Sequence, residues 1–407
     1  METGKKFYIT TTLPYVNAAP HIGFALEIVQ ADILARYHKL LGEKVFFNTG
    51  TDEHGAKIYR KAAEEKKDPQ VYVDEYAGKF KELATILNID TIGFHFIRTT
   101  DSHHIAACQK FWEICRNNGY IYKDKYKIKY CVGCELEKTE SELVDGKCPI
   151  HPNLTVEEIE EENYFFKFAA FKEQLLDLYR RYPDFVLPAH RLTEIRNFVE
   201  TGPKDFSVSR LTSKMPWGIP VPGDETQVMY VWFDALINYI STLGWPEDKK
   251  NFENFWGTIE SPNAVQIAGK DNLRQQSAMW QAMLMAAGLP PSRQILIHGF
   301  ITAGGEKMSK SMGNIVDPFE ILEKLKNYGG EDSLRYWFAR EMPTFEDGDF
   351  TWEKFKESYN VNLANGLGNW TSRIMKMFAL AGLKASPDGF ESPEIGQSRF
   401  LDYLKFL

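Results

Sequence analysis

Apolar and polar positions change period twice within the first fifty residues. Phe7-Tyr8-Ile9-Thr10-Thr11-Thr12 is rich in aromatic and β-branched residues and predicts a buried strand. After the turn-like Leu13-Pro14-Tyr15-Val16-Asn17-Ala18-Ala19-Pro20, the side chains of Ala25, Ile28, Val29, Ile33, Leu34 and Tyr37 fall at helical spacing. A helix is therefore expected from near His21 until Gly42 stops it, with Val45-Phe46-Phe47 as the next strand. Strand, helix, strand is a βαβ unit. Right-handed crossovers of this kind build doubly wound sheets, whose ligands sit beyond the carboxyl ends of the strands.

The same reading predicts helices near 57–66 and 69–87, a strand at Phe94-His95-Phe96-Ile97, and a helix capped by Asp101 that carries Cys108 and Cys115 on one face as core thiols. From Tyr120 the period becomes two, with Lys123, Lys125, Lys127 and Lys129 on one face and Tyr126, Ile128 and Tyr130 on the other. Four like charges on a strand suit either a polyanion or a protected edge. The acidic run from Glu157 to Glu162 reads as a solvated return segment. Helices follow near 171–180 and 192–200, then a strand passing into a helix at 228–236, a short strand at Val265-Gln266-Ile267-Ala268, and an apolar strand at Ile295-Leu296-Ile297-His298-Gly299-Phe300. Asp317-Pro318-Phe319-Glu320 opens another helix, with Asp as N-cap and Pro at the first helical position. From Thr351 the pattern is helical, with Phe355, Tyr359, Leu363, Leu367 and Trp370 on one face.

The fold class is α/β: a doubly wound, Rossmann-type parallel sheet, interrupted by a zinc-knuckle insertion and followed by a helical segment. The expected partition is 1–118 and 169–316 for the two halves of the sheet domain, 119–168 for the insertion, 317–350 for a linker and 351–407 for the start of a helical domain.

Composition narrows this. At 407 residues more than one core is expected, and 43% apolar residues with nine Trp and 28 Phe can fill them. No apolar run is long enough to span a bilayer and the first residues lack the apolar core of a signal peptide, so a soluble, cytoplasmic chain is expected. A net charge of −8 excludes a uniformly basic nucleic-acid surface; such a partner needs a local patch. Five cysteines in a cytoplasmic chain point to metal or buried thiols.

Four stretches carry candidate chemistry. Cys131-Val132-Gly133-Cys134 and, thirteen residues later, Cys148-Pro149-Ile150-His151 can close a tetrahedral zinc site on Cys131, Cys134, Cys148 and His151. Four protein ligands leave no position for water, which makes that zinc structural. Pro20-His21-Ile22-Gly23-Phe24 opens the first helix, where unpaired N–H groups and the macrodipole favour an anion; His21 is either a phosphate donor or a surface residue beside the cap. Asp52 follows the second strand and is placed either to pair with an ammonium group or to cap a helix. Gly304-Gly305-Glu306-Lys307-Met308-Ser309-Lys310-Ser311 combines backbone freedom, two cations and small hydroxyls, as a phosphate-handling loop requires.

Lys307-Met308-Ser309-Lys310-Ser311 matches the KMSKS signature of the class I aminoacyl-tRNA synthetases, and His21-x-Gly23 matches most of their His-x-Gly-His signature. Leu13-Pro14-Tyr15-Val16-Asn17, Asp52-Glu53-His54-Gly55, the three-Cys-one-His knuckle, Tyr230-Val231-Trp232-Phe233-Asp234-Ala235 and Gly269-Lys270-Asp271 resemble, across almost the whole chain, the methionyl-tRNA synthetases. The resemblance implies ATP-dependent activation of methionine and its transfer to tRNA(Met), with Mg²⁺ on the pyrophosphate. It implies that His21, Lys307 and Lys310 hold the phosphates and act in catalysis, with Gly23 and Phe24 beside the nucleotide and Gly269 and Asp271 at the ribose. Leu13, Tyr15, Asp52, Trp232, Ala235, Tyr239 and Gln276 then line the methionine pocket, with Asp52 on the α-ammonium. Two departures stand out: Phe24 replaces the second signature His, and Gln275-Gln276 replaces the usual Phe-His. The family's helical bundle after Thr351 reads the anticodon, and this chain reaches only its first part. The span from His21 to Lys307 has no room for the hydrolytic domain that Ile, Val and Leu enzymes need, because one methylene gives only about 1–3 kcal/mol of discrimination. A nucleotidyltransferase, another synthetase without editing and a non-catalytic tRNA-binding relative remain open at this level.

Overall fold

The computed structural model describes residues 4–89, 91–131, 136–138, 143–149, 153, 155–308 and 314–382. Its centre is a six-stranded sheet of β1 (Lys6–Thr10), β2 (Lys44–Thr51), β3 (Phe94–Arg98), β4 (Val186–Leu187), β5 (Ala264–Gly269) and β6 (Gln294–His298), in the order β3-β2-β1-β5-β6-β4. All five pairings are parallel. The strands are nearly continuous apolar runs because helices cover both faces. Phe7 and Ile9 enter a core shared with the first crossover helix, α1 (Ile22–Leu40), and the helix Pro69–Ile86. Tyr8, pointing the other way, enters a second core with the helix Ser102–Asn117, Trp256 and Trp280. Strand order reverses at β1: β2 and β3 lie on one side, while β5 and β6 lie on the other. The crevice between the carboxyl ends of β1 and β5 is thus the topological switch point of the sheet.

The insertion differs from expectation in its acidic part. Val156–Phe166 is a strand that pairs with Ile121–Cys131 along its whole length, so the acidic run is a ladder strand, with Glu157, Glu158 and Glu162 solvated as expected. The register sets Lys125 opposite Glu162, Lys127 opposite Glu160 and Lys129 opposite Glu158. Lys123 forms ion pairs with Glu162 and Asp224. At Lys125 and Lys129 opposite charges therefore face each other across the ladder, where they are favourable neighbours.

Two local readings also change. Asp101 sits at the N-cap position, but its carboxylate turns back to accept from the Arg98 backbone N–H at 2.9 Å and does not cap the helix. Gly304 and Gly305, at φ +63° and +82°, form the turn of a small hairpin between Ile301–Ala303 and Glu306–Lys307. Their freedom serves that turn, ahead of the lysine-rich segment. Asp317 caps its helix as expected, accepting from Phe319 N at 2.8 Å. In the tail, Phe355 is buried but Leu367 and Trp370 stand exposed, and residues 383–407 lie outside the described chain. Among the described residues no helix is long and apolar enough to cross a membrane.

Candidate active site

A cleft of about 1350 Å³ opens at the switch point. It is lined by Leu13, Tyr15, His21, Gly23, Phe24, Asp52, Trp232, Ala235, Tyr239, Gly269, Asp271 and Gln276, which are all the predicted nucleotide- and methionine-site residues whose side chains are described. Met308 of the lysine-rich segment lines the same cleft as His21. The far-separated first helix and late hairpin therefore converge. The side chains of Cys131 and Lys307, and Cys134, His151 and Lys310 entirely, lie outside the described residues.

His21 is the N-cap of α1, and its Nδ1 accepts from the Gly23 backbone N–H at 3.0 Å. That bond fixes the neutral tautomer, leaving the Nε2–H as a donor. Desolvation at the cleft lowers its pKa, against a smaller upward pull from Glu27. A side chain at Gly23 would come within 2.9 Å of the His21 ring, so this glycine is needed for the cap itself. Phe24 is buried edge-on against Phe80, with ring centroids 4.9 Å apart, and presents no donor.

Asp52 is 8% exposed, and its Oδ1 has no hydrogen-bond partner among the described residues. Burial, and then the nearby charge of Asp234, push its pKa well above the carboxylate range. The loop that carries it is tied to its surroundings through the next residue. Glu53 accepts from Thr51 Oγ1 and from Arg98 Nε and Nη2 at 2.6, 2.7 and 2.9 Å, and its carbonyl accepts from Trp217 Nε1 at 2.6 Å. A buried carboxylate that lines a cleft and has an oxygen whose lone pairs are unused is a ready acceptor for a cationic ligand group.

The departure at Gln276 is accommodated in detail. A single π-type turn, Gln275–Met279, carries it to the cleft. Its Nε2 donates to Tyr239 OH at 2.5 Å and its Oε1 accepts from Gln266 at 3.2 Å, while Gln266 accepts from Ser292 Oγ at 2.6 Å. Tyr239 is further anchored where its carbonyl accepts from Tyr8 OH at 2.7 Å. With one lone pair of the hydroxyl occupied by Gln276, its proton is free to point into the cleft. Trp232, 44% exposed, forms the outer wall beside Tyr230.

Sequence reasoning did not single out Glu27, His298 or His54. Glu27 lies in the apolar run of α1 and His298 in that of β6. A lone ionisable residue inside such a run was the available signal. Cys148, the only one of the four expected metal ligands whose side chain is described, is fully buried while Val144 to Lys147 and Pro149 are exposed. An inward thiol in an exposed turn fits a ligand position. Among the described residues no group of three or more potential ligands comes together.

A parallel sheet with its cleft at the switch point, a capping His-x-Gly at the first helix and a lysine-rich segment reaching the same cleft define a class I aminoacyl-tRNA synthetase core. The family described as tRNA synthetases class I (M) matches residues 7–157 and 153–375. The methionine–tRNA ligase of Thermosynechococcus vestitus is 46% identical over 372 residues, covering 91% of this chain and 69% of that protein. The corresponding ligase of Brucella suis is 43% identical over 378 residues, covering 92% and 71%. Mycobacterium tuberculosis methionyl-tRNA synthetase in complex with methionyl-adenylate superposes with a TM-score of 0.82 at 39% identity, covering 92% of this chain and 72% of that one. The chain belongs to the methionine–tRNA ligase family.

Proposed function

We propose that this protein is an ATP-dependent methionine–tRNA ligase. A methionine carboxylate oxygen attacks the α-phosphorus of ATP, the bond to the β-phosphate oxygen breaks, and methionyl adenylate and pyrophosphate result. A hydroxyl at the 3′ end of tRNA(Met) then attacks the activated carbonyl and AMP leaves. The carboxylate is already ionised at neutral pH, so positioning and electrostatics carry the first step.

The observation that carries this reading is the unpartnered Oδ1 of buried Asp52 in the same cleft as the His21 cap and Met308. In this arrangement Asp52 takes the α-ammonium, while Leu13, Tyr15, Trp232, Ala235, Tyr239 and Gln276 enclose the side chain. Gly269 and Asp271 take the ribose. His21 donates through Nε2–H to the phosphates, joined by Lys307 and Lys310, with Gly23 and Phe24 shaping the floor. Mg²⁺ would neutralise the pyrophosphate charge. Zinc on Cys131, Cys134, Cys148 and His151 would brace the insertion, a role the buried Cys148 supports. The partition into two sheet halves, insertion, 317–350 linker and helical start at 351 belongs to the same proposal, as does a cytoplasmic location.

Exchange of labelled pyrophosphate into ATP, run with each amino acid in turn, tests it. Methionine alone should support rapid exchange. Binding of tRNA without exchange, or exchange with another small acid, overturns the reading.

A further inference from the structure

Glu27 and His298 are separated by 271 positions in the chain and meet in the cleft wall. Each is only 7% exposed. His298 Nε2 lies 2.9 Å from Glu27 Oε2, and His298 Nδ1 lies 2.7 Å from the Gly299 carbonyl oxygen. Both ring nitrogens thus face acceptors. A neutral imidazole has one N–H and, beside an ionised Glu27, would leave one of these contacts as acceptor against acceptor; with the Glu27 carboxylate accepting from both Thr12 groups on its other oxygen, the imidazolium is the form that satisfies both. Glu27 is held from its other side, its Oε1 accepting from Thr12 N at 2.7 Å and Thr12 Oγ1 at 2.6 Å.

The pair joins three elements of the nucleotide side of the cleft: the segment leaving β1, the helix α1, and the end of β6. It also reaches the switch point. A side chain at Gly269 would stand 2.9 Å from Asp271 Oδ1, 3.6 Å from Phe300 Cε1 and 3.8 Å from His298 Cε1, so these three groups converge on the space above that glycine. A buried ion pair adds little to net stability compared with apolar packing, and its better-attested use is to fix one arrangement among several.

We propose that Glu27 and imidazolium His298 are positioning residues for the nucleotide half of the site, fixing α1 against the segment leaving β1 and the carboxyl end of β6 so that the ATP subsite stays formed. The inference rests on the synthetase reading above. The groups facing the pair are the Gly299 carbonyl, Asp271 and Thr12. Glu27 also acts electrostatically on His21 and Tyr239. Burial lowers the His298 pKa, but the hydrogen bond and charge of Glu27 more than offset it, and the net direction is upward. A histidine raised in this way is charged below its folded-state pKa and loses the contact as pH rises through that value.

The test is the pH dependence of the two KM values in pyrophosphate exchange, with NMR of histidine labelled at Cε1. In the unsubstituted protein KM for ATP should rise about tenfold or more on the alkaline side of the His298 titration, while KM for methionine stays flat there. His298→Gln should remove that inflection. Glu27→Gln should allow a neutral ring, moving the His298 resonance to lower pH and flattening the ATP profile. An inflection that survives in His298→Gln, or KM values for both substrates that move together in either variant, overturns the inference. So does a His298 resonance titrating at or below the ordinary imidazole value. Absence of methionine-dependent exchange overturns the synthetase reading instead, and the NMR titration still judges the pair.

Discussion

His54 Nδ1 approaches Asp234 Oδ2 at 3.3 Å, and both side chains are buried behind the carboxylate of Asp52. Burial and then Asp234 raise the Asp52 pKa; burial also raises that of Asp234, against the pull of His54. The cluster is short of positive charge, and an incoming ammonium supplies it. Only an ionised Asp52 can pair with that ammonium, so methionine affinity should weaken as pH falls through the apparent pKa of the pair. Asp234→Asn removes the like charge and should shift the loss to lower pH. KM for methionine measured against pH checks this, and an unmoved profile counts against the arrangement.

Asp52→Asn should raise KM for methionine on the order of 10²-fold, the cost of an unpaired charge in a buried contact, with little change in KM for ATP. Equal effects on both substrates in pyrophosphate exchange would mean that Asp52 does not touch the amino acid.

Gln276→Leu should leave a Gln266 amide N–H without its acceptor and release the Tyr239 hydroxyl. The stability cost should be about 1–3 kcal/mol, read as a lower urea midpoint at unchanged slope. KM for methionine should rise in the same variant.

Lys310→Ala should slow exchange on the order of 10²–10³-fold while leaving KM for methionine near its starting value, as expected for a group acting on developing phosphate charge. A rate within twofold of the unsubstituted protein would remove this lysine from the chemistry.

Metal analysis should find one zinc per chain, lost with Cys148→Ser. Chelation should perturb the insertion, visible as faster amide exchange in the 121–166 hairpin, with the central sheet unaffected. Protein purified without zinc and showing the same exchange pattern would contradict the ligand assignment.

The parallel sheet was legible because its strands are apolar runs separated by helix-period stretches, as in Phe7–Thr12 and Val45–Phe47. The cleft was legible wherever a residue follows within one or two positions of a strand end, as Asp52 and Asp271 do. The ladder between Lys125 and Glu162 was not, because charge alone does not distinguish a solvated segment from one whose partner lies far along the chain. Glu27 and His298 were hidden for a similar reason. Each looks like an interruption of an apolar run, and only tertiary contact shows that the interruptions meet. The turn at Gly304-Gly305 was assigned to ligand binding because glycine freedom serves both purposes.

β1 sits between β2 and β5, with register partners Phe46 and Ala264 on either side of Tyr8. During synthesis one flank of this strand is satisfied within some forty residues, while the other waits for a segment more than two hundred and fifty residues downstream. Until then the nascent chain carries a five-residue strand with one flank unpaired, the kind of edge that can pair with other chains. The arrangement that creates the crevice thus ties its completion to the last-made strands of the sheet, so a chain released before residue 298 lacks one wall of its own site.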